Sequence, residues 1–120
     1  MQPTKVLVID DSKLTHTIFS AIFPKLPLVH AMDGIDALHR LGEHPEVDLI
    51  FLDLNMPRMN GLELLDRLKA DAALALVPVV IFSTEGKEQD TVCGLRKGAA
   101  AYIKKPFQIE AVRELVGRLP

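Results

Sequence analysis

The sequence predicts an α/β fold: five strand–helix units building a parallel sheet with helices on both faces. Three observations carry that expectation. Short apolar runs alternate with segments of helical spacing along the whole chain. Two of the runs, Val6-Leu7-Val8-Ile9 and Leu49-Ile50-Phe51-Leu52, are apolar at every position, as a strand buried on both faces requires. Both of these runs stop at carboxylates, Asp10-Asp11 in one case and Asp53 in the other. Right-handed crossovers would keep the strands parallel and bring their carboxyl ends to one edge.

The elements follow in order. Lys5 to Ile9 reads as the first strand, and Ser12 as the N-cap of a helix reaching about Phe23. Pro24 and Pro27 punctuate the connection to a weak second strand, Leu28 to Ala31. Asp33-Gly34 opens a second helix with Ile35, Leu38 and Leu41 at helical spacing. Val47 to Leu52 is the third strand; after the turn-rich loop Met56-Pro57-Arg58-Met59-Asn60-Gly61 comes a helix with Leu62, Leu65 and Leu68 on one face. Pro78 introduces the fourth strand, Val79 to Phe82, and a helix from about Lys87 to Lys97 ends at Gly98. Ala101 to Lys104 is the fifth strand and Gln108 to Arg118 the last helix.

Composition narrows the function classes. The 120 residues, 48% hydrophobic and 25% charged, suit one globular domain spanning 1–120, without repeats or linkers. A formal net charge of −2 gives no support for non-specific nucleic-acid binding. The single Cys93 cannot form an internal disulfide, which fits a reducing compartment. The apolar N-terminal stretch is short and ends in two aspartates, unlike a signal peptide. The longest apolar run, Ala72 to Phe82, contains Pro78 and is too short to span a bilayer. A soluble, cytoplasmic domain is expected, with no membrane span and no direct nucleic-acid contact.

Open sheets of this kind bind ligands beyond the carboxyl ends of their strands. Asp10 and Asp11 end the first strand, Asp53 the third, Ser83-Thr84 the fourth and Lys105 the fifth. Clustered carboxylates repel unless a cation or a proton relieves them. A hard divalent cation such as Mg2+ prefers oxygens of this kind, and a backbone carbonyl from the following loop could add another. A carboxylate can also attack phosphorus to give an aspartyl phosphate, with the cation, Lys105 and a hydroxyl neutralising the phosphoryl oxygens. Taken singly, each aspartate is more simply a turn or capping residue, Lys105 a solvated lysine and Ser83 a strand-end hydroxyl. Five such residues at one sheet edge point instead to a shared metal and phosphoryl site. Relief of repulsion is then expected to leave the fold no weaker when Asp10 or Asp11 is replaced by Ala.

The order Val-Ile-Asp10-Asp11-Ser, Asp53-Leu-Asn55-Met-Pro57-x-Met-Asn-Gly61, Ser83 after Pro-Val-Val-Ile-Phe, and Lys105-Pro106-Phe107 resembles the receiver domain of bacterial response regulators over essentially the whole chain. The resemblance implies a flavodoxin-like sheet in the order 2-1-3-4-5. It implies that Asp53 is the phosphoacceptor, taking a phosphoryl group from a phosphohistidine of a sensor histidine kinase or a histidine phosphotransfer protein. Asp10 and Asp11 would position Mg2+ together with Asp53, Asp11 more directly and Asp10 largely through water, and Asn55 would lend its backbone carbonyl. Lys105 would bridge to the phosphoryl group across a Lys105–Pro106 bond that is usually cis. Ser83 would move to hydrogen-bond the phosphoryl group, Tyr102 would turn inward, and the fourth helix, fifth strand and fifth helix would present the changed surface to a downstream protein. Lys87, Arg96, Lys97 and Lys104 add positive charge there, with a solvated face as the default. Gly61 would permit the tight turn before the third helix.

Some residues depart from the pattern or stay open. Thr84 follows the switch hydroxyl where receivers often carry a small residue; its bulk could narrow access for water, with Asn55 and Glu85 flanking the same route. Gly94 sits mid-helix at a cost of about 0.5–1 kcal/mol against alanine, either to loosen the helix or to permit close packing. Leu14 is open to a core position or to contact with a kinase. His16, His30, His39 and His44 lack a ligand spacing with one another and read as surface or structural residues. Met56 and Met59 need no cofactor explanation, and Cys93 reads as a packing residue. Two other functions share these features. A pseudo-receiver would use the fold as a phosphorylation-independent interaction module, against which the complete site argues. An aspartyl-phosphate hydrolase needs a second acid two residues after the nucleophile, where this chain has Asn55.

Overall fold

The runs that are apolar at every position form the centre of the sheet. β1 (Val6–Ile9) and β3 (Leu49–Asp53) pair in parallel, with Val6 opposite Leu49 and Ile9 opposite Leu52, and every residue of both is buried. β2 (Leu28–Ala31) lies on the other side of β1, β4 (Val79–Thr84) beyond β3, and β5 (Ala101–Lys105) at the far edge. All four pairings are parallel, in the order β2-β1-β3-β4-β5. The order reverses between β1 and β3, so the crevice above those two strands is the topological switch point. The structure, a computed structural model, describes residues 1–56, 59–84 and 88–120. Pro57 of the loop motif, Glu85 beside the water route and Lys87 at the start of the fourth helix lie outside the described residues.

Helices α1 (Lys13–Ile22), α2 (Gly34–Glu43), α3 (Gly61–Ala70), α4 (Glu88–Arg96) and α5 (Ile109–Arg118) cover the two faces. Alternate side chains of β1 divide the core. Val6 and Val8 pack with Phe51, Phe82, Phe19, Val112 and Val116 under α1 and α5. Leu7 and Ile9 pack with Ile50, Leu52, Ile81 and the leucines of α3. Phe19 sits at the centre of the first cluster, its ring centroid 4.6 Å from Phe51, 5.6 Å from Phe107 and 5.9 Å from Phe82.

Three local expectations change. Ile35 of α2 is 41% exposed, and the buried stripe is Gly34, Ala37 and Leu41, because small residues let α2 come down onto β1, β2 and Met59. In α3, Leu64 is buried alongside Leu65 and Leu68, while Leu62 is only partly covered. Ser12 makes no side-chain cap; the working caps are Asp33, accepting from the Asp36 amide at 2.9 Å, and Asn60, accepting from the Glu63 amide at 3.0 Å. Gly94 permits close packing, since a Cβ there would lie 2.6 Å from Ile81 Cδ1. Gly98, at φ +107°, terminates α4 as expected. Among the described residues no helix is long and apolar enough to cross a membrane.

Candidate functional site

β3 and β4 run one and two residues further than the periodicity predicts, and those residues carry the site. Asp53 is itself the last residue of β3, in register with Phe82, and Lys105 pairs with Thr84 at the end of β5. Carboxylate oxygens of Asp10, Asp11 and Asp53 all lie within 4.8 Å of one another; Asp10 and Asp53 are buried and Asp11 is exposed. The Lys105 ammonium lies 3.0 Å from Asp10 Oδ2 and 3.6 Å from Asp53 Oδ2, and 4.8 Å above the Phe82 ring. The Lys105–Pro106 peptide is cis, as the resemblance implied.

The turn role and the site role of the aspartates turn out to be compatible. Asp10 Oδ1 accepts from the Ser12 amide at 3.0 Å, and Asp53 Oδ1 accepts from the Asn55 amide at 3.0 Å. Each carboxylate thus uses one oxygen to shape the loop after its strand, and the other faces Lys105.

Their electrostatics differ. Burial pushes the Asp53 carboxyl up to about 7; the Asn55 amide offsets part of this, and the negative charge of Asp10 adds to it. Burial also pushes Asp10 upward, but hydrogen bonds from the Thr15 hydroxyl, Lys105 and the Ser12 amide outweigh it and hold Asp10 below its ordinary value. For Asp10 this argues against the expectation that its removal costs the fold nothing. Asp10 is a stabilised anion, and the uncompensated charge resides on Asp53.

The remaining expected residues sit around this centre. Asn55 and Asp11 line one cavity of about 440 Å³ with Asn60 and Asp90. Ser83 is buried, its hydroxyl 3.0 Å from the Thr91 hydroxyl of α4. Tyr102 is 46% exposed and borders a cavity of about 170 Å³ shared with Ser83, Thr84, Thr91 and Leu95. Leu14 is 69% exposed and lines a mostly apolar cavity of about 360 Å³ with Ile18, Pro106 and Phe107; Ser12, Thr15, Thr84 and Lys105 are its polar lining. Lys97 does not contribute free charge to the α4 side, because it pairs with Asp66 of α3 at 2.9 Å.

Gly61 is required for a different reason from the one expected. A Cβ at Gly61 would lie 2.5 Å from the Asp53 carbonyl oxygen and 2.6 Å from Leu54 Cα. The residue is there so that α3 can begin directly against the backbone of Asp53.

Sequence reasoning missed Thr15, Thr91 and the histidine pair. His16 Nδ1 lies 2.7 Å from His30 Nδ1, although the two are 14 residues apart. Burial and the neighbouring His16 hold His30 below its ordinary value. No spacing in the sequence points to the pair; the β1–β2 register creates it by setting His30 opposite Val8, two residues before Asp10.

Comparison with known proteins decides the family. Residues 6–117 match the response regulator receiver domain. The chain belongs to that family. It is 30% identical over 113 residues to the chemotaxis protein CheY1 of Helicobacter pylori, covering 92% of this chain and 91% of that protein. Among solved structures, the chemotaxis protein CheY4 of Vibrio cholerae is 26% identical with a TM-score of 0.88, covering 99% of this receiver and 100% of that chain. NtrX of Brucella abortus is 28% identical with a TM-score of 0.89, covering 99% of this chain; the receiver spans only 27% of that one. The fold is therefore the flavodoxin-like receiver fold, and the chain is a CheY-like receiver consistent with two-component signalling, a signalling protein rather than a conventional enzyme. Its acid cluster is a set of hard oxygen donors that could bind a metal ion.

Proposed function

We propose that this receiver is a phosphorylation-controlled switch in which Asp53 is the phosphoacceptor. The observation that carries the reading is the pairing of a buried Asp53, raised to about 7, with two further carboxylates and a lysine within reach. A carboxyl so placed lacks positive charge, and a divalent cation among three carboxylates would supply it. The donor set suits Mg2+, held by Asp10, Asp11 and Asp53 with the backbone carbonyl of Asn55. When bound, that ion supplies charge neutralisation and orientation of the phosphoryl oxygens.

The chain's own residues do the rest. An Asp53 oxygen attacks the phosphorus of a phosphohistidine; the O–P bond forms as the P–N bond breaks, and the electron pair leaves with the imidazole. Lys105, 3.6 Å from Asp53, can turn to the phosphoryl group. Ser83 leaves Thr91 to donate to the same group, and Tyr102 enters the space between β5 and α4 that both already border. The α4-β5-α5 face then presents an altered surface to a downstream protein. Exposed Leu14, with Ile18, Pro106 and Phe107, offers the kinase or phosphotransfer protein an apolar footing beside the acids.

Intact mass after incubation with Mg2+ and a small phosphodonor tests the reading. A single phosphoryl adduct that disappears with Asp53→Asn is the expected result. An adduct that survives the substitution overturns Asp53 as acceptor, and absence of any adduct favours an interaction module that works without phosphorylation.

A further inference from the structure

The carbonyl of Asp10 has an unusual partner. β1 ends before it and α1 begins after Ser12, so neither ladder satisfies that oxygen. His16 Nε2 does, at 2.8 Å, from one turn into α1. With the Asp10 amide donating to the Ala31 carbonyl at 3.1 Å, and Ser12 and Lys105 on its carboxylate, all four polar atoms of this buried residue are fixed.

The bonding pattern determines where the protons are. A carbonyl only accepts, so His16 carries a proton on Nε2, and with a single proton on the ring its Nδ1 is a lone pair. His30 Nδ1, 2.7 Å away, must therefore be the donor. The rings meet edge to face, with centroids 4.7 Å apart and planes at 73°. A directional chain results, from His30 on the edge strand β2, through His16, to the peptide that carries Asp10 into Asp11. Among the described residues no hydrogen bond holds the Asp11 carboxylate, so what the fold fixes for Asp11 is the backbone position that this peptide sets.

We propose that His16 is a positioning residue for the cation site, holding the Asp10 carbonyl and hence the aim of the Asp10-Asp11 pair, with His30 fixing its tautomer. The proposal rests on the reading of the three aspartates as a cation site. It is the arrangement by which a metal site's outer neighbours usually orient its ligands, built here through the backbone.

Two measurements on the full chain test it. Long-range proton–nitrogen correlation spectra of the labelled protein without Mg2+ should place hydrogen on Nε2 of His16 and on Nδ1 of His30, and Mg2+ should shift the His16 Nε2 resonance. By calorimetry, His16→Phe should weaken Mg2+ binding about tenfold, at the low end of the usual effect of such neighbours. His16→Gln, whose amide can donate to the same carbonyl, should restore affinity to within about threefold. A folded His16→Phe protein that binds Mg2+ like the unmodified chain overturns the proposal and leaves the cation site intact. A hydrogen on Nδ1 of His16, with none on Nε2, overturns it without any variant. Failure of the unmodified chain to bind Mg2+ at millimolar concentration overturns the cation site and this proposal together.

Discussion

Replacing Asp53 with Asn measures how costly the acid cluster is in the metal-free protein, and pH exposes the cost. Burial pushes the Asp53 carboxyl from 3.8 to about 7 in the folded chain. In the unfolded chain it titrates near its ordinary value, so between about pH 4 and about pH 7 the native state holds a proton that the unfolded state has released. The Asp53 contribution to stability is therefore lost as pH rises through that window, and is level below and above it. At about 1.36 kcal/mol per pH unit, the gap between 3.8 and about 7 puts the full loss near 4 kcal/mol. Asn keeps the shape and removes the charge, but forfeits attraction to Lys105 at 3.6 Å. The variant should therefore exceed the unmodified chain by about 1–3 kcal/mol at pH 8, and by nothing near pH 4. Urea unfolding at intervals across that range, with m-values compared, reads the difference directly. Saturating Mg2+ should reverse the order, because only the unmodified chain gains binding energy. Equal stability at pH 8, or an advantage independent of pH, refutes the reasoning.

Other substitutions separate the residues around Asp53. Asp10→Ala leaves Lys105 and the Ser12 amide without their acceptor and should destabilise the apo protein by about 1–3 kcal/mol in urea. Asp11→Ala, at an exposed position, should stay within about 0.5 kcal/mol; both changes should abolish stabilisation by Mg2+. Gly61→Ala forces a methyl against the Asp53 carbonyl and should cost about 1–3 kcal/mol by urea unfolding while lowering phosphoryl adduct yield by intact mass. Tyr102 is the only tyrosine in a chain without tryptophan, so intrinsic fluorescence reports its environment alone. Emission should change when phosphodonor and Mg2+ are added, and should not change in Ser83→Ala even where mass spectrometry finds the adduct.

The sheet was legible because its central strands have no solvent face: Val6 to Ile9 and Leu49 to Leu52 could be nothing but doubly buried. The site was legible for the same reason, since a carboxylate that directly ends such a run must sit at the strand's carboxyl edge. Helix phase was less so. In α2 the spacing Ile35, Leu38, Leu41 competes with Gly34, Ala37, Leu41, and the smaller set won because close approach of the helix matters more than side-chain volume there. Long-range partners were not legible at all. Lys97 meets Asp66 only because α3 and α4 are neighbours, and His16 meets His30 only through the β1–β2 register. Gly61 drew the right attention for the wrong cause: its need is space beside Asp53, a property of where α3 lands on the sheet rather than of the loop's own conformation.

The two buried aspartates share one lysine, and the sharing has a direction. In the apo chain Lys105 sits 3.0 Å from Asp10 and 3.6 Å from Asp53, so its bond and most of its attraction go to the acid that is not the proposed nucleophile. Asp10 is in addition held by Ser12, Thr15 and His16, and would keep those contacts if Lys105 left. On its other oxygen Asp53 accepts from the Asn55 amide. The fold therefore concentrates its rigidity on Asp10 and its unrelieved charge on Asp53. If Asp53 acquires a phosphoryl group, the added negative charge lies beside the lysine's weaker partner, and a shift of well under a side-chain length changes which acid Lys105 serves. On the proposed function, the resting contact with Asp10 is a stored alternative: Lys105 can change partners without leaving Asp10 unsupported.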